Sequence, residues 1–102
     1  MPRLEVRYRP EAVSDLEDIY RYIVALSAAP AVAQAFVSRI RSKCELIGDA
    51  PSIGIARDDL VPGLRLTSFE RTAVIAYVID GDAVRIVNVF YGGRDYEALF
   101  RD

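Results

Sequence analysis

The sequence predicts an α+β domain of order β-α-α-β-β-β, a helical hairpin packed on an antiparallel sheet, in a single unit over residues 1–102. Three observations predict it. A short alternating stretch opens the chain. Two long runs with apolar steps of three and four follow it. From residue 64 onward the apolar period becomes two. A chain of 102 residues, 52% of them hydrophobic, can close one core without a metal or disulfide framework.

The first strand is read from Leu4, Val6 and Tyr8 alternating with Glu5, Arg7 and Arg9. Pro10 suits the first turn of a helix, where its missing N–H costs nothing. Glu11 and Asp15 then put negative charge near the positive end of the helix dipole. Val13, Leu16, Ile19, Tyr20, Ile23 and Leu26 form the predicted apolar stripe, and Glu17 to Arg21 is a favourable i,i+4 pair beside it.

Ser27 to Pro30 interrupts the pattern. Ala33, Phe36, Val37, Ile40, Cys44 and Ile47 define a second helix, with Gly48 expected as its C-terminal stop. Arg39, Arg41 and Lys43 make this helix basic while the first is acidic, which suits mutual attraction or a solvated face. Residues 49–63 read as a loop, with Pro62-Gly63 suiting a tight turn. Three strands follow: Leu64 to Phe69, Thr72 to Ile79, and Ala83 to Tyr91. Asp80-Gly81 marks the last hairpin. Asp95 is a good N-cap for a short helix through Phe100. The strands are apolar on both sides, so the sheet face away from the helices is expected to stand open for a partner.

Composition excludes several chemistries. The chain has no histidine and one cysteine, which removes Ser-His-Asp and Cys-His catalysis, internal disulfides and the common zinc sites. Cys44 falls in the helical pattern and reads as a small buried hydrophobe. No P-loop or dinucleotide fingerprint occurs. The carboxylates of Asp58-Asp59 and of Asp80 and Asp82 lie in turns, where bonding to local backbone is the favoured role. A net charge of −2 argues against direct binding of DNA through its phosphates. No run resembles a signal peptide or a membrane span, so a cytoplasmic protein is expected. What remains are arginines on or beside the sheet: Arg65, Arg71, Arg85 and Arg94. Their forks suit carboxylate or phosphate, or they solvate the sheet and pair with its acids.

The order of these motifs resembles the ParE branch of the RelE/ParE toxin superfamily, from type II toxin–antitoxin systems. "RYRPEAVSDLEDIYRYI" is similar to the family's first strand and first helix, through Ala12, Asp15, Leu16 and Ile19. "LIGDAPSIG" is similar to the stretch after the second helix. "VPGLRLTSFERTAVIAYVIDGDAVRIVNVFYGGRD" resembles the family's strands and closing motif. That motif often reads His-Gly-x-Arg-Asp. Here Tyr91 takes the His position, and Gly92, Arg94 and Asp95 match.

The resemblance implies a non-enzymatic toxin that inhibits DNA gyrase by binding, without a cofactor. It also implies a ParD-like antitoxin that neutralises the toxin in a hetero-oligomer. Under it, Tyr91, Arg94, Tyr96, Leu99 and Phe100 face the target, and Arg65, Arg71 and Arg85 face the antitoxin. The alternatives are a RelE-like ribosome-dependent ribonuclease using Arg65, Tyr91 and Arg94, and a non-toxic module that only pairs with an antitoxin. The basic set is thin for the ribonuclease, since Lys43 is the only lysine.

Overall fold

The computed structural model describes residues 3–101. The elements are β1 (Glu5–Tyr8), α1 (Pro10–Ser27), α2 (Pro30–Asp49), β2 (Ile55–Ala56), β3 (Arg65–Phe69), β4 (Ala73–Asp80), β5 (Ala83–Tyr91) and α3 (Tyr96–Phe100). The strands form one sheet in the order β1-β5-β4-β3-β2. β1 runs parallel to β5, and the other pairings are antiparallel. The predicted class and meander therefore hold. The addition is β2, which pairs Ile55 with Leu66 and Ala56 with Arg65 inside the segment read as loop. Two residues are too few to show a period.

Pro10 and Pro30 each open a helix, and the left-handed Ala28 (φ 54°) closes α1. α1 buries Ala12, Leu16, Ile19 and Ile23. The predicted stripe was centred one row away, for Val13, Tyr20 and Leu26 stay partly exposed. Two adjacent rows of a helix are both apolar here. The small Ala12 takes the inner row, where larger residues were expected to lie. Arg21 pairs with Asp18 at 2.9 Å, not with Glu17. Both side chains are well exposed, so the pair adds little.

Gly48 is not a helix stop. It lies within α2, buried. A Cβ there would come 2.6 Å from the Leu4 carbonyl oxygen, and the Leu4 N–H donates to the Gly48 carbonyl at 2.9 Å. The glycine lets the segment leading into β1 lie directly on the last turn of the helix. The basic residues of α2 do not pair with α1 either. Arg39 grips Glu70, and Arg41 stacks over the Tyr8 ring.

The hairpin of α1 and α2 covers one face of the sheet, against Phe69, Ile75, Tyr77, Val84, Ile86 and Val89. β5 carries one extra residue. Ala76 opposes Asn88 and Tyr77 opposes Ile86, which leaves Val87 unmatched. The bulge changes which residues face the helices. Ile86 faces them before it, and Val89 and Tyr91 after it, while Phe90 turns to the opposite side.

That opposite side is not open, contrary to expectation. Leu64, Leu66, Ala76 and Phe90 form a second small core, covered by Leu60 and Val61 and by Tyr96 and Phe100 of α3. The chain spends its own C-terminal segment on this face. Arg57 fastens the cover, donating to Glu97 at 2.7 Å and to Asp59 at 2.9 Å. Asp95 caps α3, accepting from the Ala98 N–H at 3.3 Å.

The two hairpin connections differ. Between β4 and β5 the turn residues are Gly81 and Asp82, with Gly81 at φ 64°. Between β3 and β4, Thr72 N–H donates to the Phe69 carbonyl at 3.1 Å. The two residues between them, Glu70 and Arg71, lie at φ 48° and 61°. This is the sign pattern of a type I′ turn, which favours Asn and Gly. A side chain with a Cβ costs roughly 1–2 kcal/mol per residue in the left-handed region.

Candidate recognition corner

Tyr91 closes β5 beside the ends of both helices. Its ring meets Phe36 of α2 edge-on at 5.5 Å and Tyr22 of α1 at 5.7 Å. The half-buried ring is a wedge in an aromatic cluster that Phe36 extends to Phe69. Gly92 and Gly93 follow at φ 76° and 75°, and the Gly92 N–H donates to the Thr72 carbonyl at 3.0 Å. The left-handed pair turns the chain so that Arg94 lies over the Phe90 ring at 5.8 Å.

Tyr91 and Arg94 are thus brought together on one groove of about 270 Å³, shared with Asp15, Asp18, Tyr22 and Val89. A second, apolar groove of about 510 Å³ continues past Tyr91 along Leu26, Val32 and Phe36. Part of the exposed apolar surface lies here, while Ile55 of β2 and Ile79 of β4 keep another part on the strands. Tyr22, Leu26 and Val32 are 53%, 70% and 54% exposed. Composition signalled this excess but not its place.

The remaining residues expected to face a target divide. Tyr96 and Phe100 set their rings on Phe90, each with centroids 5.8 Å away, while Leu99 faces solvent. α3 is therefore docked on the sheet and shows Leu99 outward, while Arg94 stands exposed on the turn that precedes it.

Arg65 is elsewhere. It opposes Tyr77 on β4, whereas Tyr91 opposes Ala73, four residues away and so about 13 Å along the strand. Its guanidinium donates to the Gly54 carbonyl at 2.7 Å and to the Ser52 carbonyl at 3.4 Å. Tyr77 ties down the same loop. Its hydroxyl donates to the Pro51 carbonyl at 2.7 Å and accepts from the Gly54 N–H at 2.8 Å. Burial pushes this phenol above its ordinary pKa. Arg85 holds Asp80 at 2.9 Å. Of the three arginines assigned to an antitoxin, only Arg71 has no protein acceptor among the described residues.

Asp15 has a role that its position in the helix did not reveal. Its carboxylate accepts from the Val89 N–H at 2.9 Å and from Asn88 Nδ2 at 3.0 Å. β1 pairs with β5 only as far as Ile86, so Asp15 takes the next backbone donor of that edge. Asp58 accepts from the Gly63 N–H at 2.8 Å, the local bonding expected, whereas Asp59 and Asp80 pair with arginines. Cys44 is fully buried, and burial pushes its thiol up to about 11. It is a packing residue, not a nucleophile. Among the described residues, no group of three His, Cys, Asp or Glu side chains gathers to hold a metal, and no helix is long and apolar enough to cross a membrane.

Aromatic rings and Arg94 thus line two adjoining grooves, and Asp15, Asp18 and Tyr22 share the first of them with Tyr91. Residues 6–96 match the family described as ParE toxin of type II toxin-antitoxin system, parDE. The chain belongs to this family. Its fold is similar to a solved chain titled "Chromosomal ParDE TA system from P. aeruginosa", at 23% identity and a TM-score of 0.76, over 88% of this chain and 97% of that one. Comparison with curated protein sequences finds no match.

Proposed function

We propose that this toxin acts by binding. In this reading it inhibits DNA gyrase in the cytoplasm, makes and breaks no bonds, needs no cofactor, and is neutralised by a cognate ParD-like antitoxin in a hetero-oligomer. Arg94 and Leu99 lead the contact with the target, with Tyr91, Tyr96 and Phe100 holding the corner in shape. The antitoxin covers the apolar groove beside Leu26 and Val32 and engages Arg71. Arg65 and Arg85 lie away from that groove, Arg65 on the Gly54 and Ser52 carbonyls and Arg85 on Asp80.

One observation carries the non-enzymatic reading. Of the three residues in the ribonuclease alternative, Tyr91 and Arg94 share a groove, but Arg65 sits about 13 Å along the sheet from Tyr91 and is held by carbonyl oxygens. The test uses purified toxin with gyrase, and in parallel with translating ribosomes. Loss of supercoiling at micromolar toxin, reversed by the antitoxin, is the expected result. Cleavage of translated mRNA that Tyr91→Phe abolishes would overturn it. Normal growth on expression without an antitoxin would instead mark a non-toxic pairing module.

A further inference from the structure

Seven arginines among the described residues pair with a carboxylate. Arg71 and Arg94 do not, and they line one cleft. The cleft holds about 150 Å³ between the β3–β4 turn and the start of α3, and Phe90, Val74 and Tyr96 form its apolar wall. Asp95, the nearest acid in sequence, is engaged in capping the Ala98 N–H.

The backbone adds a second argument. Glu70 and Arg71 both occupy left-handed positions in the turn, where Asn or Gly is the relaxed choice. Glu70 is compensated, since its carboxylate takes both forks of Arg39 at 2.8 and 3.1 Å. Arg71 has no such contact within the chain. A strained residue whose side chain does nothing for its own fold points to a use outside it.

We propose that Arg71 and Arg94 form a receptor for a carboxylate side chain of an acidic polypeptide segment. Two guanidinium forks offer paired, planar donors, and the aromatic wall suits the methylene stem beneath a Glu carboxylate. The cleft admits one side chain. A chain of net charge −2 provides no broad positive field to hold a phosphate backbone, which favours the peptide over nucleic acid. The inference does not depend on gyrase as the target.

The test titrates the full chain with N-acetyl-Glu-Glu-amide and follows the arginine Nε–Hε resonances by NMR. Shifts at Arg71 and Arg94, with Arg9 and Arg41 unmoved, are expected, together with weakening of at least about fivefold between low and physiological salt. Arg71→Asn and Arg94→Gln together abolish the accompanying shifts of the Val74, Gly93 and Tyr96 backbone amides that line the cleft, and leave the rest of the amide spectrum folded. Arg71→Asn alone, relaxed in its turn, keeps or raises Tm while losing binding. Equal shifts with N-acetyl-Gln-Gln-amide would overturn the proposal, as would shifts spread over all arginines. Tighter binding of a short DNA duplex at these two residues would replace the carboxylate with phosphate.

Discussion

At one end of the sheet Arg65 and Tyr77 turn inward and tie down the loop at Pro51 to Gly54. At the other, Arg71 and Arg94 reach outward from glycine-rich and strained backbone and take no carboxylate. Both ends carry arginine beside aromatic rings. The difference is where the guanidinium finds its acceptor. An arginine satisfied by backbone carbonyls is part of the fold, and one left free above a ring is available to something else. Residue type alone does not distinguish them.

The closed end should fail on stability. Tyr77→Ala removes the largest fully buried side chain and is expected to cost about 3–5 kcal/mol in urea unfolding. Tyr77→Phe keeps the ring but leaves the Gly54 N–H without its acceptor, for about 1–3 kcal/mol. If Tyr77→Phe is neutral, the loop is not held as described.

Alkaline pH tests the same interior. The folded pKa of Cys44 is raised from 9.0 to about 11 by burial, and Tyr77 is raised for the same reason. A raised pKa favours the neutral folded form. Stability is therefore intact below pH 9 and lost as pH climbs through about 11. The thiol's share is about 2–3 kcal/mol, and Cys44→Ala should flatten that part of the pH profile measured by urea midpoints.

Asp15 lies beside the open end but acts inward. Asp15→Ala strips the acceptor from Val89 N–H and Asn88 Nδ2 and should cost about 2 kcal/mol. Hydrogen exchange at the Val89 amide should quicken first.

At the open end the effects on stability should be small and of the other sign. Arg71→Asn relieves a left-handed arginine and is expected to raise stability by up to about 1 kcal/mol. Arg94→Gln should change it by less than about 0.5 kcal/mol. A large loss of stability from either would mean that these arginines serve the fold, and the contrast between the two ends would disappear.

Much of this architecture was legible in the sequence. The two helices, the three-strand meander and the Asp95 cap follow from period, proline placement and capping chemistry. Three things were not. The bulge at Val87 leaves no composition signal, yet it decides that Tyr91 faces the helices and Phe90 faces α3. The closure of the second sheet face depends on long-range contacts, since Arg57 meets Glu97 forty residues away in sequence. The strain at Glu70 and Arg71 is invisible because neither residue type announces a turn. For the same reasons the arginines could be named as a set, but the paired ones could not be separated from the free ones.

The most direct test measures DNA supercoiling by purified gyrase against increasing toxin, comparing the native chain with Arg94→Gln and Arg65→Lys. Inhibition by the native chain is expected, with an inhibitory concentration raised about tenfold or more by Arg94→Gln and near-native inhibition by folded Arg65→Lys. Full inhibition by Arg94→Gln alongside its loss in a folded Arg65→Lys would place recognition at the closed end and remove the open end from the contact with the target.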